Sequence, residues 1–130
     1  MPRNASSKPL VILAAGGTGG HVFPAESLAR ELQKRGYRLA FFTDKRGDQY
    51  SGLLGELETI RVSAGSVAGR GLLGKIRSVI SLLFGTLQAF YHIGKMRPNC
   101  VVGFGGYPSV PTMLAASLKG CPSLIHEQNA

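Results

Sequence analysis

The stretch Pro9 to Ala25, PLVILAAGGTGGHVFPA, decides how the rest of this 130-residue chain is read. Its first part, Pro9 to Ala15, is continuously apolar rather than alternating, the pattern of a strand covered on both faces of a parallel sheet. Gly16-Gly17-Thr18-Gly19-Gly20-His21 ends that run. Pro24 then suits the first turn of a helix with an apolar stripe of Leu28, Ala29 and Leu32, and Gly36 stops it after Lys34 and Arg35. Strand, glycine loop and helix follow one another.

Glycines in that loop let backbone N–H groups approach a ligand closely, and the helix N-terminus adds about half a positive charge. The loop therefore suits a phosphate or diphosphate, with Gly16 and Gly17 among the contacts. A tight turn with no ligand is the plainer alternative, but a turn needs fewer glycines. His21 follows immediately. Titrating near neutrality, its imidazole is suited to taking a proton from an attacking hydroxyl or to binding a phosphate oxygen, and capping the helix is the alternative.

Further along, Arg38 to Thr43 reads as a second strand and Thr59 to Ser63 as a weaker third, joined by an irregular glycine-containing connection over Asp48 to Glu58. Leu72 to Lys95 is helical in periodicity and apolar nearly all round, with Phe84, Leu87 and Phe90 expected in the core. A membrane-spanning helix needs roughly 20 clean apolar residues. Lys75, Arg77, Gln88 and His92 interrupt this one, so a transmembrane reading is rejected. Pro98 stops the helix, Cys100 to Phe104 is a fourth strand, and Gly105 to Ser109 is a second glycine loop before a helix over Pro111 to Lys119. Ser123 to His126 is a fifth strand. The alternation predicts an α/β fold, a doubly wound parallel sheet with helices on both faces and ligands outside the carboxyl ends of its strands.

The second loop, Gly103-Phe104-Gly105-Gly106-Tyr107-Pro108-Ser109, repeats the logic of the first, so two anion-seeking loops on one sheet edge suggest an extended phosphate ligand. Gly105, Gly106, Tyr107 and Ser109 are its candidates. His126-Glu127-Gln128-Asn129 crowds polar side chains suited to sugar hydroxyls onto the same edge. His92 and His126 read as structural. A dinucleotide-cofactor oxidoreductase is disfavoured, because Val22 stands where the third glycine of G-x-G-x-x-G belongs. Asp44 does not rescue it, since a lone acid in a strand-end turn is ordinarily solvated. A P-loop fails for want of Gly-Lys-Ser/Thr after the glycines.

The formal charge of +8 comes largely from the span between Glu58 and Glu127, which has no carboxylate and carries Arg61, Arg70, Lys75, Arg77, Lys95, Arg97 and Lys119. Such a surface attracts polyanions of any kind. A nucleic-acid module would interleave aromatics with these cations, and most aromatics here fall in apolar runs. The start of the long helix, Leu72, Leu73, Ile76 and Ile80 laced with Lys75 and Arg77, reads equally as core or as an interfacial patch for anionic lipid. Cys100 and Cys121 are too few for a disulfide framework and lack partners at metal-ligand spacing, and no metal is expected. Met1 to Lys8 is a polar leader expected to be disordered, with no export signal, and residues 9–130 form one domain.

GGTGGHVFPA, GFGGYPSVP and HEQN, in this order and at these spacings, resemble the N-terminal domain of the MurG family, the undecaprenyldiphospho-muramoylpentapeptide beta-N-acetylglucosaminyltransferases. The resemblance covers essentially the whole chain after the leader. It implies a GT-B enzyme with two Rossmann-like domains facing a cleft, this chain being the acceptor-binding one and the donor-binding domain lying outside it. The implied reaction moves N-acetylglucosamine from UDP-N-acetylglucosamine to the C4 hydroxyl of undecaprenyl-diphospho-muramoylpentapeptide, with inversion, in peptidoglycan synthesis. Thr18, Gly19, Gly20 and Asn129 would touch the donor. His21, Gly105, Gly106, Tyr107 and Glu127 would surround the acceptor, with His21 or Glu127 as the base and no cofactor. The resemblance further implies peripheral attachment to the cytoplasmic face of the bacterial inner membrane, no nucleic-acid partner, and little activity for this half alone. A noncatalytic module for lipid or diphosphate is the alternative.

Overall fold

The computed structural model describes residues 8–16, 19–44, 52–64 and 71–126, with 19–21 described by their backbone only. The elements run β1 (Leu10–Ala14), α1 (Gly19–Lys34), β2 (Arg38–Thr43), α2 (Leu53–Glu56), β3 (Glu58–Arg61), α3 (Gly71–Met96), β4 (Cys100–Gly103), a 3₁₀ turn (Tyr107–Ser109), α4 (Val110–Leu118) and β5 (Ser123–Ile125). All five strands join one parallel sheet in the order β3-β2-β1-β4-β5. Two departures from the sequence expectation are local. One helical turn, α2, interrupts the connection expected to be irregular, because Leu54 finds a fully buried seat there. A 3₁₀ turn occupies the end of the second glycine loop.

The register explains why β1 is apolar without alternation. Ile12 pairs with Ala40 on one side and Val101 on the other, and Leu13 with Phe41 and Val102, so β1 has no solvated edge or face. Leu10, Ile12, Ala14, Ala40, Phe42 and Val101 face α3 and α4, meeting Ala89, Ile93, Ala115 and Ala116. Val11, Leu13, Ala15, Phe41 and Val102 face the other way, onto Val22, Ala25 and Ala29 of α1 and Leu54 of α2. Each large side chain so buried contributes about 1.5–3 kcal/mol.

The topology also sets where a ligand goes. From β1 the chain steps outward through β2 to β3, then α3 carries it back to β4 on the far side of β1. The winding direction therefore reverses between β1 and β4, which is the position where open α/β sheets bind ligands beyond the strand ends. The two glycine loops follow those two strands.

Helix α3 corrects an expectation. Phe84, Leu87 and Phe90 are not core: they are 56%, 67% and 37% exposed. Gly74, Gly85, Ala89 and Ile93 are the buried residues instead, and α3 packs closely on α4. A Cβ on Gly85 would stand 1.6 Å from the Ser63 carbonyl oxygen, so close approach of the two backbones turns the small residues inward and the large ones outward. Gln88, which interrupts the apolar run, accepts the Ser63 N–H at 2.7 Å, and the Ser63 and Ser81 hydroxyls meet at 2.6 Å. By length and composition α3 would suffice to cross a bilayer. Here both its ends lead into strands of one sheet, and its small-residue face lies on α4.

Neither cysteine is in a disulfide, and both are half-buried, one toward each face of the sheet. Burial holds the Cys100 thiol above its ordinary range, partly offset by a backbone hydrogen bond with Val101.

Candidate functional site

Between β1 and α1 the helix starts earlier than the sequence suggests. It begins at Gly19, so Gly19, Gly20 and His21 form its first turn rather than the loop before it. The first N–H groups of any helix have no partner inside it. Here they belong to a glycine-rich turn at the positive end of a 16-residue helix with no acidic residue in that turn to occupy them. Pro24 consequently lies beyond the first turn, inside the helix, where its missing N–H leaves the Gly20 carbonyl without the usual helical donor.

The junction after β4 is built differently. Gly105 and Gly106 have φ of 91° and 81°, a left-handed backbone that other residues adopt only under strain. The chain then makes the 3₁₀ turn and enters α4 directly. Ser109 was a candidate ligand contact, but it is buried, and its N–H and hydroxyl both donate to the Gly106 carbonyl, at 3.2 and 2.9 Å. Its visible role is to hold the turn. Tyr107 is more than half exposed on the outside of the same turn.

These junctions touch. A Cβ on Gly16 would lie 2.6 and 2.8 Å from ring carbons of Pro108 and 3.1 Å from the Thr43 hydroxyl oxygen. Only a residue without a side chain lets the second turn close over the end of β1 in this way. Pro108, absent from the sequence-derived candidates, is therefore the piece that joins the two glycine segments, and proline among glycines gave no hint of its partner. The 3₁₀ turn also packs on the end of β2. The Phe104 N–H donates to the Ala14 carbonyl at 2.9 Å and the His126 N–H to that of Gly103 at 2.8 Å, so the ends of β1, β4 and β5 are laced together.

The end of β2 adds two buried polar residues. Asp44, expected to be solvated, is only 9% exposed, and it is engaged within the protein. Thr43 is fully buried, and its hydroxyl has no hydrogen-bond partner. An unsatisfied buried hydroxyl costs on the order of 1–3 kcal/mol.

The other candidates divide plainly. Gly16, Gly19, Gly20, His21, Gly105, Gly106, Tyr107 and Ser109 are all carried by the two junctions. Gly17, Thr18, Glu127 and Asn129 lie outside the described residues, although β5, which leads to Glu127, runs parallel beside β4. His126 packs against Phe104 with ring centroids 5.6 Å apart, and His92 meets Phe42 edge-on at 6.3 Å, so both make ring contacts. The candidate membrane residues form part of a long exposed band. Leu72, Leu73, Ile76, Ile80, Leu83 and Leu87 all project outward from α3, with Lys75 and Arg77 exposed among them.

A parallel sheet whose switch point is lined by two glycine junctions, one leading into the N-terminus of a 16-residue helix, defines a class: a doubly wound domain suited to a phosphorylated ligand. Comparison with known proteins narrows it. The chain belongs to the glycosyltransferase family 28 N-terminal domain family, whose model matches residues 11–130. It is 61% identical over 126 residues to a UDP-N-acetylglucosamine--N-acetylmuramyl-(pentapeptide) pyrophosphoryl-undecaprenol N-acetylglucosamine transferase of Paramagnetospirillum magneticum, covering 97% of this chain and 34% of the relative. A transferase of the same name from Rhodospirillum rubrum is 57% identical over 134 residues, covering 100% of this chain and 35% of the relative. Among solved structures, Acinetobacter baumannii MurG superposes with a TM-score of 0.77 at 36% identity, over 95% of this chain and 36% of that one. The chain thus spans about a third of the length of the relatives it matches.

Proposed function

We propose that this chain is the acceptor-side half of an inverting N-acetylglucosaminyltransferase acting on undecaprenyl-diphospho-muramoylpentapeptide, with UDP-N-acetylglucosamine as donor. The observation that carries this reading is the meeting of the two glycine junctions at the switch point. The 61% identity to a transferase named for this reaction supports it.

In this mechanism the Gly16–Gly17 and Gly105–Gly106 backbone takes up charge on the acceptor diphosphate beside the positive end of α1, with no metal needed to neutralise it there. Gly16 and Gly17 line the approach, Tyr107 bounds it, and Ser109 keeps the turn in shape. Thr18, Gly19, Gly20 and Asn129 meet the donor across a cleft completed by a second domain. His21 or Glu127 removes the proton from the C4 hydroxyl as its oxygen attacks the anomeric carbon. The bond to UDP breaks on the opposite face, and UDP departs with the electron pair. The exposed band of α3, with Lys75 and Arg77, rests on the anionic cytoplasmic face of the inner membrane and brings the site to its lipid-linked substrate.

Transfer of labelled N-acetylglucosamine to a muramyl-diphospho-lipid by the complete gene product tests the reading, with His21→Ala and Glu127→Gln compared. The base variant should lose about 10²–10⁴-fold in turnover and the other much less. No transfer by the unaltered protein would overturn the function, and full turnover in both variants would overturn the assignment of the base.

A further inference from the structure

Helix α4 has two sides of different composition. Pro111, Thr112, Ala115 and Ala116 are buried, while Val110, Leu114 and Leu118, spaced four apart, share the outer side, with Leu114 and Leu118 46% and 72% exposed. Tyr107, in the 3₁₀ turn that leads into the helix, precedes this row by three residues and is also exposed. Between Tyr107 and Leu118 the sequence has no charged residue. A helix side left to water ordinarily carries charge, as the outer side of α1 does with Arg30, Glu31 and Lys34.

The two ends of the row lie at two places already described. At its head is the second glycine junction, since Gly105 and Gly106, with their left-handed backbone, immediately precede Tyr107. At its foot is the exposed band of α3. Lys119, the residue after Leu118, stands over the Phe90 ring at 4.1 Å, and its ammonium nitrogen lies 2.9 Å from where a Gly94 Cβ would stand, which fixes the end of α4 against α3. From Val110 to Leu118 the row spans about 12 Å at 1.5 Å per residue.

An uncharged apolar path therefore leads from the junction proposed for the diphosphate to the band proposed for the membrane. A polyprenyl diphosphate has its parts in the same order, a charged diphosphate joined directly to an apolar chain. Each chain carbon drawn out of the bilayer costs free energy unless apolar surface meets it. We infer that the outer side of α4 is the track for the first isoprene units of the acceptor lipid, with Leu114 and Leu118 as its main contacts. The inference deepens the proposed function and rests on its reading of the second junction as a diphosphate-holding one.

The test uses the full-length gene product and compares it with two double variants, Leu114→Gln with Leu118→Gln and Leu114→Met with Leu118→Met. Affinities for farnesyl diphosphate and inorganic diphosphate are measured by calorimetry without vesicles, together with Tm and co-sedimentation with anionic vesicles. The unaltered protein should bind farnesyl diphosphate the more tightly of the two. The glutamine pair should cut that preference about tenfold, with Tm unaltered because both positions are exposed. The methionine pair should keep it, since each side chain remains apolar and flexible. In transfer, the glutamine pair should raise the KM of a farnesyl-linked muramyl acceptor about tenfold with little change in kcat. An undiminished preference in the glutamine pair overturns the inference, as does the absence of any preference in the unaltered protein. Weaker vesicle binding with the preference intact also overturns it, and makes the row a membrane contact. If the preference depends on the two leucines while no sugar is transferred, the inference stands and the transferase reading fails. If sugar is transferred and the glutamine pair keeps both preference and acceptor KM, the inference fails and that reading stands.

Discussion

Helices α1 and α3 both lie along the sheet, on opposite faces, yet they expose different kinds of residue. Helix α1 turns Val22, Ala25 and Ala29 inward and keeps Arg30, Glu31 and Lys34 in solvent, with Arg30 paired to Glu26 at 2.7 Å and Arg35 to Glu31 at 3.1 Å. Helix α3 turns Gly74, Gly85, Ala89 and Ile93 inward and presents leucine and phenylalanine outward. The first is the ordinary solution for a surface helix. The second holds the apolar side chains available for something beyond the fold. Apolar content alone is thus a poor guide to burial: what decides is which side of the helix can come close to its neighbour. Lys119 stands over the Phe90 ring at 4.1 Å and Lys95 over Tyr91 at 5.4 Å, so cations already sit among the exposed rings.

The contrast is sharpest in paired truncations. Leu13→Ala, beneath α1, should cost about 2–5 kcal/mol in urea denaturation, whereas Leu83→Ala on the outer side of α3 should cost within about 0.5 kcal/mol. Equal losses would mean that α3 is covered in the same way as α1. Next comes Gly85→Ala, whose methyl group meets a backbone carbonyl that cannot yield, and which should destabilise by about 1–3 kcal/mol by the same measurement. Indifference there would show that α3 does not lie so close to Ser63. The double change Lys75→Glu with Ile76→Glu should weaken co-sedimentation with anionic vesicles about tenfold while leaving Tm unaltered, because it reverses one charge and replaces one apolar contact of the outer band with a second carboxylate. Binding that ignores both substitutions removes the membrane assignment. The smallest effect is expected at the end of α3, where Arg97 has φ of 51° and its N–H reaches the Ile93 carbonyl at 2.9 Å. Arg97→Gly should gain about 0.5 kcal/mol, read as a small rise in Tm.

Much of the site could be read from residues in order. Two segments of the type strand, glycine run, helix announce where amides become available, since that depends on local backbone preference and on the end of any helix. The helix start at Gly19 rather than after His21 was less legible, because glycine favours a helix interior so little that it reads as loop. The burial of Asp44 and the unpaired hydroxyl of Thr43 left no trace in the sequence. At the end of β1, Thr43 meets Pro108, which is distant in the chain.

By itself the sequence determined the parallel sheet, through apolar runs long enough for strands buried on both faces, and the positions of its glycine junctions. Only the tertiary structure decided that these junctions meet, that Ser109 spends its donors within the turn, and that the large residues of α3 face outward. The physical reason is range. Strand and turn preferences act over a few residues, whereas close packing is settled between segments far apart in the chain, where the volume of one side chain at Gly16 or Gly85 decides which surfaces can touch.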